Sequence, residues 1–249
     1  ASFGTMAKPF HAGKAAMDGI VAAQLAANGF HAATGLLEPG GGFDDALVQD
    51  GAARFRPVEF TGWNILNNSF KPYAACHLTH PAIDAARVLA ARTNDIAGIA
   101  AIRAEIGALA DRVTGGKSGA PATPLEGKFD LKYCVALGLH GRDVSAADFR
   151  EPWQPDPAVC ATAQKVTIAV GDEMGFASAR LTVNGRDSVH VPVAKGHPGN
   201  PIGWDDMHRK FAALAEPVLG SRSEELFGLV RHFGNGRALD KIRQILAAV

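Results

Sequence analysis

Residues 179–193 read ARLTVNGRDSVHVPV and carry the clearest strand signal in the chain. Apolar and polar residues alternate on both sides of Asn184-Gly185, a dipeptide typical of the two-residue turn that joins antiparallel strands. The earlier segment KVTIAV, residues 165–170, is also rich in β-branched residues and predicts another strand. The central part of the chain is therefore predicted to contain a sheet of at least three strands.

Helical periodicity lies on both sides of this predicted sheet. Small and apolar residues recur at helical spacing over residues 12–27, and Asn28-Gly29 provides a C-terminal stop. The pattern of residues 128–139 predicts a buried helix, and apolar residues recur at helical spacing from Trp204 to Val249. The alternation in residues 95–113 fits either a strand or a helix. These patterns predict an α+β fold.

The segment KPYAACHLTH, residues 71–80, is an irregular polar turn that leads into a helix. Thr79 or His80 is the expected cap, because Pro81 is tolerated in the first turn of a helix.

Charge and cysteine content exclude several classes of protein. The 249 residues include 25 basic and 25 acidic side chains, and this balance argues against a nucleic-acid binder and against electrostatic membrane binding. The three cysteines, Cys76, Cys134 and Cys160, are far apart, which predicts no disulfide framework and a reducing cytoplasm. The scattered histidines form no short-spaced ligand pair, so we expect no metal.

Four blocks of sequence occur in the same order as in one enzyme family. They are GTMAKPFHAGKAAMDGIVAAQLAANGF with the following LLEPGGGF, KPYAACHLTH with AIDAA, KFDLKYCVA, and KGHPGNPIGWDDMHRKF. In these blocks, which span essentially the whole chain, the sequence resembles the MmgE/PrpD family. That family includes 2-methylcitrate dehydratase, cis-aconitate decarboxylase and iminodisuccinate epimerase.

The resemblance implies a helical domain that is interrupted by a smaller α/β lid. Residues 1–50 and 201–249 would then belong to the helical domain, and residues 51–200 would form the inserted lid. The match covers only the later half of the family pattern. Full-length members begin with a helical region that contributes an aspartate and a histidine to the active site. Family members commonly pair through the helical domain, so the resemblance implies a homodimer. A partner chain that carries the upstream half is the alternative.

The resemblance also implies a cofactor-independent lyase that acts on small di- and tricarboxylates. The shared step is removal of a proton beside a carboxylate, followed by loss of water, loss of carbon dioxide or reprotonation. We expect a dehydratase acting on a hydroxy-tricarboxylate such as 2-methylcitrate. Decarboxylation and epimerisation remain alternatives, and so does a catalytically silent fragment or subunit that lacks the upstream half.

Four residues are the candidates for the site. Lys8 matches the lysine of the family's central motif and Lys71 matches a lysine of the substrate pocket, so both are expected to bind substrate carboxylates. Tyr133 matches a tyrosine that lines the active site and is expected to act catalytically. His11, beside Lys8 at the head of the first helix, is a further catalytic candidate. A surface role for the lysines and a core role for the tyrosine remain open.

Decarboxylase members have a histidine where this chain has Cys76. This difference argues against decarboxylation. The roles of Cys76 and of its neighbours His77 and His80 stay open at this point.

Overall fold

A computed structural model describes residues 5–36, 42–48, 61–93, 95–234 and 237–247. The chain divides into two compact units, residues 1–66 and residues 67–249. The boundary that we predict at residue 50 and most of the glycine-rich stretch LLEPGGGF lie outside the described residues. The division into 1–50, 51–200 and 201–249 therefore stays a prediction.

The first unit contains helices α1 (Ala7–Ala27) and α2 (Phe43–Leu47). Helix α1 ends at Asn28-Gly29 as predicted, but it begins five residues before the predicted start at Ala12. Lys8 and His11 consequently belong to the first turns of the helix. Pro9 is accommodated there because the first turn of a helix leaves its backbone N–H groups without intrahelical partners.

The second unit contains the four strands and the remaining helices. The strands are β1 (Ile102–Ile106), β2 (Val166–Val170), β3 (Ala179–Val183) and β4 (Asp187–Val191). The helices are α3 (His80–Ala90), α4 (Ala108–Ala110), α5 (Pro124–Lys128), α6 (Leu131–Leu139), α7 (Pro157–Ala163), α8 (Trp204–Leu219), α9 (Arg222–Arg231) and α10 (Arg237–Ala247). This mixture of helices and sheet confirms the α+β class, and the lid arrangement remains a prediction.

The strands form one sheet in the order β2-β1-β3-β4. Strand β1 pairs in parallel with β2 and antiparallel with β3, and β3 pairs antiparallel with β4. Asn184 and Gly185 both have positive φ, 50° and 67°, as the two-residue turn of a hairpin requires. The predicted hairpin is confirmed.

The ambiguous segment 95–113 contains both kinds of structure. It forms β1 and then turns into α4 and a π-helical turn, Asp111–Gly115. Strand β1 lies between β2 and β3 and makes ladder hydrogen bonds on both sides. Tertiary pairing therefore selects the strand, although the local alternation also allows a helix.

Helix α3 joins the sheet to the helical layer. It packs against β3 and β4 and also against α6. Its buried residues Ala82, Ala86 and Leu89 share one core cluster with Leu181 of β3 and Val135 of α6. Because α3 begins at His80, this packing also fixes the position of the polar segment that precedes it. The helix begins where predicted, with Thr79 at the N-cap position and Pro81 in the first turn, but the Thr79 hydroxyl donates to the carbonyl of Cys76 and makes no capping bond to the helix.

The three C-terminal helices of the described residues form a separate small cluster. Leu219, Leu226 and Ile245 are buried together, with Phe211 packed against them. Among the described residues, none of the helices combines the length with the apolar character that crossing a bilayer requires.

Asp130 caps α6 from a buried position and is expected to make a large contribution to stability. Its carboxylate accepts hydrogen bonds from the backbone N–H of Tyr133 at 3.1 Å and of Gly119 at 2.7 Å, while burial raises its pKa. We expect Asp130→Ala to lower the free energy of unfolding by about 3 kcal/mol, because two N–H groups lose their acceptor. Asp130→Asn should cost about half as much, since the amide oxygen still accepts one bond.

Urea denaturation measures both losses. The control is Asp156→Ala at the exposed cap of α7, where the side chain accepts from Ala158 N at 2.9 Å. That variant should lose about 1 kcal/mol. Equal losses for Asp130→Ala and Asp156→Ala would contradict the importance of the buried cap.

Candidate functional site

The polar segment in front of α3 holds two histidines on a fixed backbone. His77 lies in a short 3₁₀ turn, His77–Thr79, and His80 is the first residue of α3. The backbone N–H of Cys76 donates to the carbonyl of Lys128 at 2.8 Å, and the Thr79 hydroxyl donates to the carbonyl of Cys76 at 2.7 Å. These bonds hold the turn against the start of α3.

The two imidazole rings lie side by side, with their centroids 5.0 Å apart. His77 Nε2 and His80 Nδ1 are both buried and have no hydrogen-bond partner among the described residues. A buried polar atom without a partner costs about 1–3 kcal/mol, and such atoms are rare in folded proteins. The pair is therefore a site where a ligand would supply the missing partners.

His80 is held in its neutral form. Its Nε2 lies 3.4 Å from the carbonyl of Ala75, so Nε2 carries the hydrogen and Nδ1 carries the lone pair. Burial, followed by the positive charges of His77, Lys71 and Lys210, lowers the pKa of His80 to about 3, although the bond to Ala75 opposes this shift. The side chain is fully buried, with 0% exposure.

Two lysine side chains stand next to these rings. Lys71 Nζ donates to the carbonyl of Ala75 at 3.3 Å, and Lys210 Nζ donates to the carbonyl of Lys71 at 2.7 Å. Burial first, and then the charges of Lys71 and His197, lower the pKa of His77. We call Lys71, His77, His80, His197 and Lys210 the histidine–lysine cluster.

Phe176 forms an apolar wall beside the cluster. Its ring lies 6.4 Å from the ring of His77 and 6.3 Å from that of His197, both edge to face. The side chain is half exposed. Both histidines therefore contact one aromatic ring that is partly open to solvent.

The neighbouring carboxylates, Asp84 and Asp206, already accept hydrogen bonds from other residues. Asp84 accepts from the Tyr73 hydroxyl at 2.6 Å and from the backbone N–H of Lys195 at 2.7 Å, and burial raises the pKa of its carboxyl. Asp206 accepts from Lys195 Nζ at 2.8 Å and pairs with Arg209, and the bond to Lys195 lowers its pKa. These partners already use the oxygens of both acidic groups. The histidine–lysine cluster itself contains two ammonium groups and no carboxylate.

The predicted site residues lie in different surroundings. Lys71 belongs to the histidine–lysine cluster. Tyr133 lines a cavity of about 190 Å³ together with Arg142, Asp148 and Trp153. Burial raises the pKa of the Tyr133 phenol to about 12, and no hydrogen bond of its hydroxyl is found within the described ranges. Lys71 does not line this cavity.

Lys8 and His11 lie on exposed turns of α1 in the first unit. Their roles stay predictions. Cys76 is buried. Its backbone supports the turn that carries His77, through the bonds to Lys128 and Thr79.

His197 and Lys210 were not identified from the sequence as site residues. Both fall in the family block KGHPGNPIGWDDMHRKF. The basic residues of this block could have suggested that it contributes to a site for an anionic ligand. More than a hundred residues separate them from Lys71, so no local sequence pattern can show that they belong to the same cluster. Among the described residues, no group of three or more His, Cys, Asp or Glu side chains is arranged to hold a metal ion.

The family assignment rests on one comparison. The family model of the MmgE/PrpD C-terminal domain matches residues 73–232, which is more than half of the chain and includes the four cluster residues other than Lys71. The chain belongs to the MmgE/PrpD family. No curated protein matches it.

Proposed function

We propose that this protein is a cofactor-independent hydro-lyase that acts on a small hydroxy di- or tricarboxylate such as 2-methylcitrate. The observation that supports this proposal is the histidine–lysine cluster, in which two ammonium groups stand beside two imidazoles with unpartnered nitrogens. Membership of the MmgE/PrpD family points to the same class of enzyme.

The donor set of the cluster suits a carboxylate ligand. Ammonium groups donate charge-assisted hydrogen bonds to carboxylate oxygens, and such bonds are about twice as strong as neutral ones. The same groups would stabilise the negative charge that develops when a proton leaves the carbon beside a carboxylate. Lys71 and Lys210 are proposed to bind substrate carboxylates.

The remaining residues keep the roles that the sequence suggests. Lys8 is proposed as a further carboxylate-binding residue, and Tyr133 and His11 as groups that transfer protons. Their assignment rests on the sequence and not on the cluster. We also propose a homodimer in the cytoplasm, in line with the family resemblance and the scattered cysteines.

Dehydration is tested by the ultraviolet absorbance of the new C=C bond. The purified protein is expected to generate this absorbance from 2-methylcitrate or citrate. Tricarballylate is the matched control, because it has three carboxylates but no hydroxyl group to lose. It should bind without producing the signal.

Other outcomes would separate the alternatives. Turnover of cis-aconitate or iminodisuccinate, without turnover of 2-methylcitrate or citrate, would reject dehydration and keep the family. A citrate-dependent rise in melting temperature, with no product from any of these compounds, would instead support a carboxylate-binding protein that is catalytically silent.

A further inference from the structure

His77 is the member of the histidine–lysine cluster that a ligand would affect most. Its ring is half-buried, and its Nε2 has no hydrogen-bond partner among the described residues. Burial, Lys71 and His197 all lower its pKa. The imidazole is therefore mainly uncharged in the free protein at neutral pH.

A bound polycarboxylate would raise the pKa of His77 again. Its negative charge offsets the positive charge of Lys71, and a carboxylate oxygen can accept a hydrogen bond from a protonated Nε2. Opposite charge and hydrogen bonding to the charged form both favour protonation of an imidazole. Resting on the function proposed above, we propose that the cluster takes up a proton when it binds a polycarboxylate, and that His77 Nε2 accepts this proton.

The other groups around His77 do not compete for the proton. His80 is fully buried, and a positive charge on His77 would lower its pKa further. His197 Nδ1 already accepts the backbone N–H of Gly199 at 3.0 Å. Lys71 and Lys210 are already ammonium groups that donate to backbone carbonyls.

The nearby acidic side chains, Asp84 and Asp206, already accept hydrogen bonds. Asp84 accepts from Tyr73 and Lys195, and Asp206 accepts from Lys195 and Arg209. In the part of the chain that the structure describes, the buried side-chain nitrogens without a hydrogen-bond partner are His77 Nε2 and His80 Nδ1. His80 is the more deeply buried of the two residues, so the proton is assigned to His77 Nε2.

The pH dependence has a definite sign. Ligand binding raises the pKa of His77, so the complex holds more protons than the free protein at pH values between the free and bound pKa. Citrate affinity should therefore rise as pH falls through this window, by up to about tenfold per pH unit for one linked proton. Below the free pKa the histidine is charged in both states, and this contribution to the pH dependence ends.

Calorimetry of citrate binding in two buffers that differ in ionisation enthalpy counts the protons directly. We expect net uptake by the wild type and clearly smaller uptake by His77→Gln, which should still bind citrate. His190→Gln is the matched control, because His190 is an exposed histidine on β4. It should take up as many protons as the wild type. Running all three proteins in parallel removes the contribution of citrate's own ionisation.

Nuclear magnetic resonance of wild-type protein with labelled histidine provides a second measurement that needs no variant. One histidine should change from the neutral to the imidazolium form when citrate is added. Citrate binding without proton uptake, or equal uptake by His77→Gln and wild type, would overturn this inference and leave the proposed function standing. No citrate binding by the wild type would overturn both.

Discussion

Replacing Lys71 with methionine is expected to weaken citrate binding by about tenfold to a hundredfold, because a charge-assisted hydrogen bond contributes about 1.5–3 kcal/mol. The charge of Lys71 acts on both His77 and His80. Methionine keeps the unbranched shape of the lysine side chain as far as Cε and lacks the ammonium group. Isothermal calorimetry measures the dissociation constant, and circular dichroism checks that the variant is folded.

The same variant has a second expected effect that simple loss of folding would not produce. Lys71 is one of the causes of the lowered pKa of His77, so Lys71→Met should raise that pKa toward its ordinary value. Histidine titration followed by nuclear magnetic resonance would detect the change. Lys117→Met is the control, since Lys117 is an exposed lysine in the loop before α5. Equal citrate affinity of the two variants would contradict the role of Lys71.

Replacing Gly196 with alanine is expected to lower the free energy of unfolding by about 3 kcal/mol, through backbone strain and overpacking together. Gly196 has φ of 90°, and an added Cβ would lie 2.0 Å from the carbonyl oxygen of Phe70. The close approach is part of a backbone pairing, because Phe70 N donates to Gly196 O at 2.8 Å. This contact joins the segment that precedes Lys71 to the one that carries His197.

Thermal unfolding measures this effect. For a unit of this size, about 3 kcal/mol corresponds to a melting temperature lower by about 6–12 °C. Gly185→Ala is the matched control, because Gly185 also has positive φ, 67°, but no atom within 4 Å of an added Cβ. It should lose only about 1 kcal/mol from backbone strain. Equal losses for the two alanines would show that the contact with Phe70 is unimportant.

The sequence predicted those elements whose signals are local. The turn residues Asn184-Gly185 and the alternation beside them predict the β3–β4 hairpin, because a two-residue turn sets the register of adjacent strands. The stop at Asn28-Gly29 and the start of α3 at His80 follow from the conformations that glycine and proline allow. The family blocks identified Lys71 and the segment that contains His77 and His80.

The local sequence pattern does not distinguish a strand from a helix at β1. Its alternating residues allow a strand or a helix, and pairing with β2 and β3 on either side selects the strand. The start of α1 was also predicted too late, because Lys8 and Pro9 in its first turn interrupt the helical pattern of small and apolar residues.

The amino-acid sequence by itself determined the α+β class, the hairpin and the family. Only the tertiary structure placed His197 near His77 and Lys210 beside Lys71. These segments are more than a hundred residues apart, so their contacts depend on how the chain around Lys195 packs against α3. The lowered pKa values of His77 and His80 likewise arise from burial and neighbouring charge, which exist only in the folded chain.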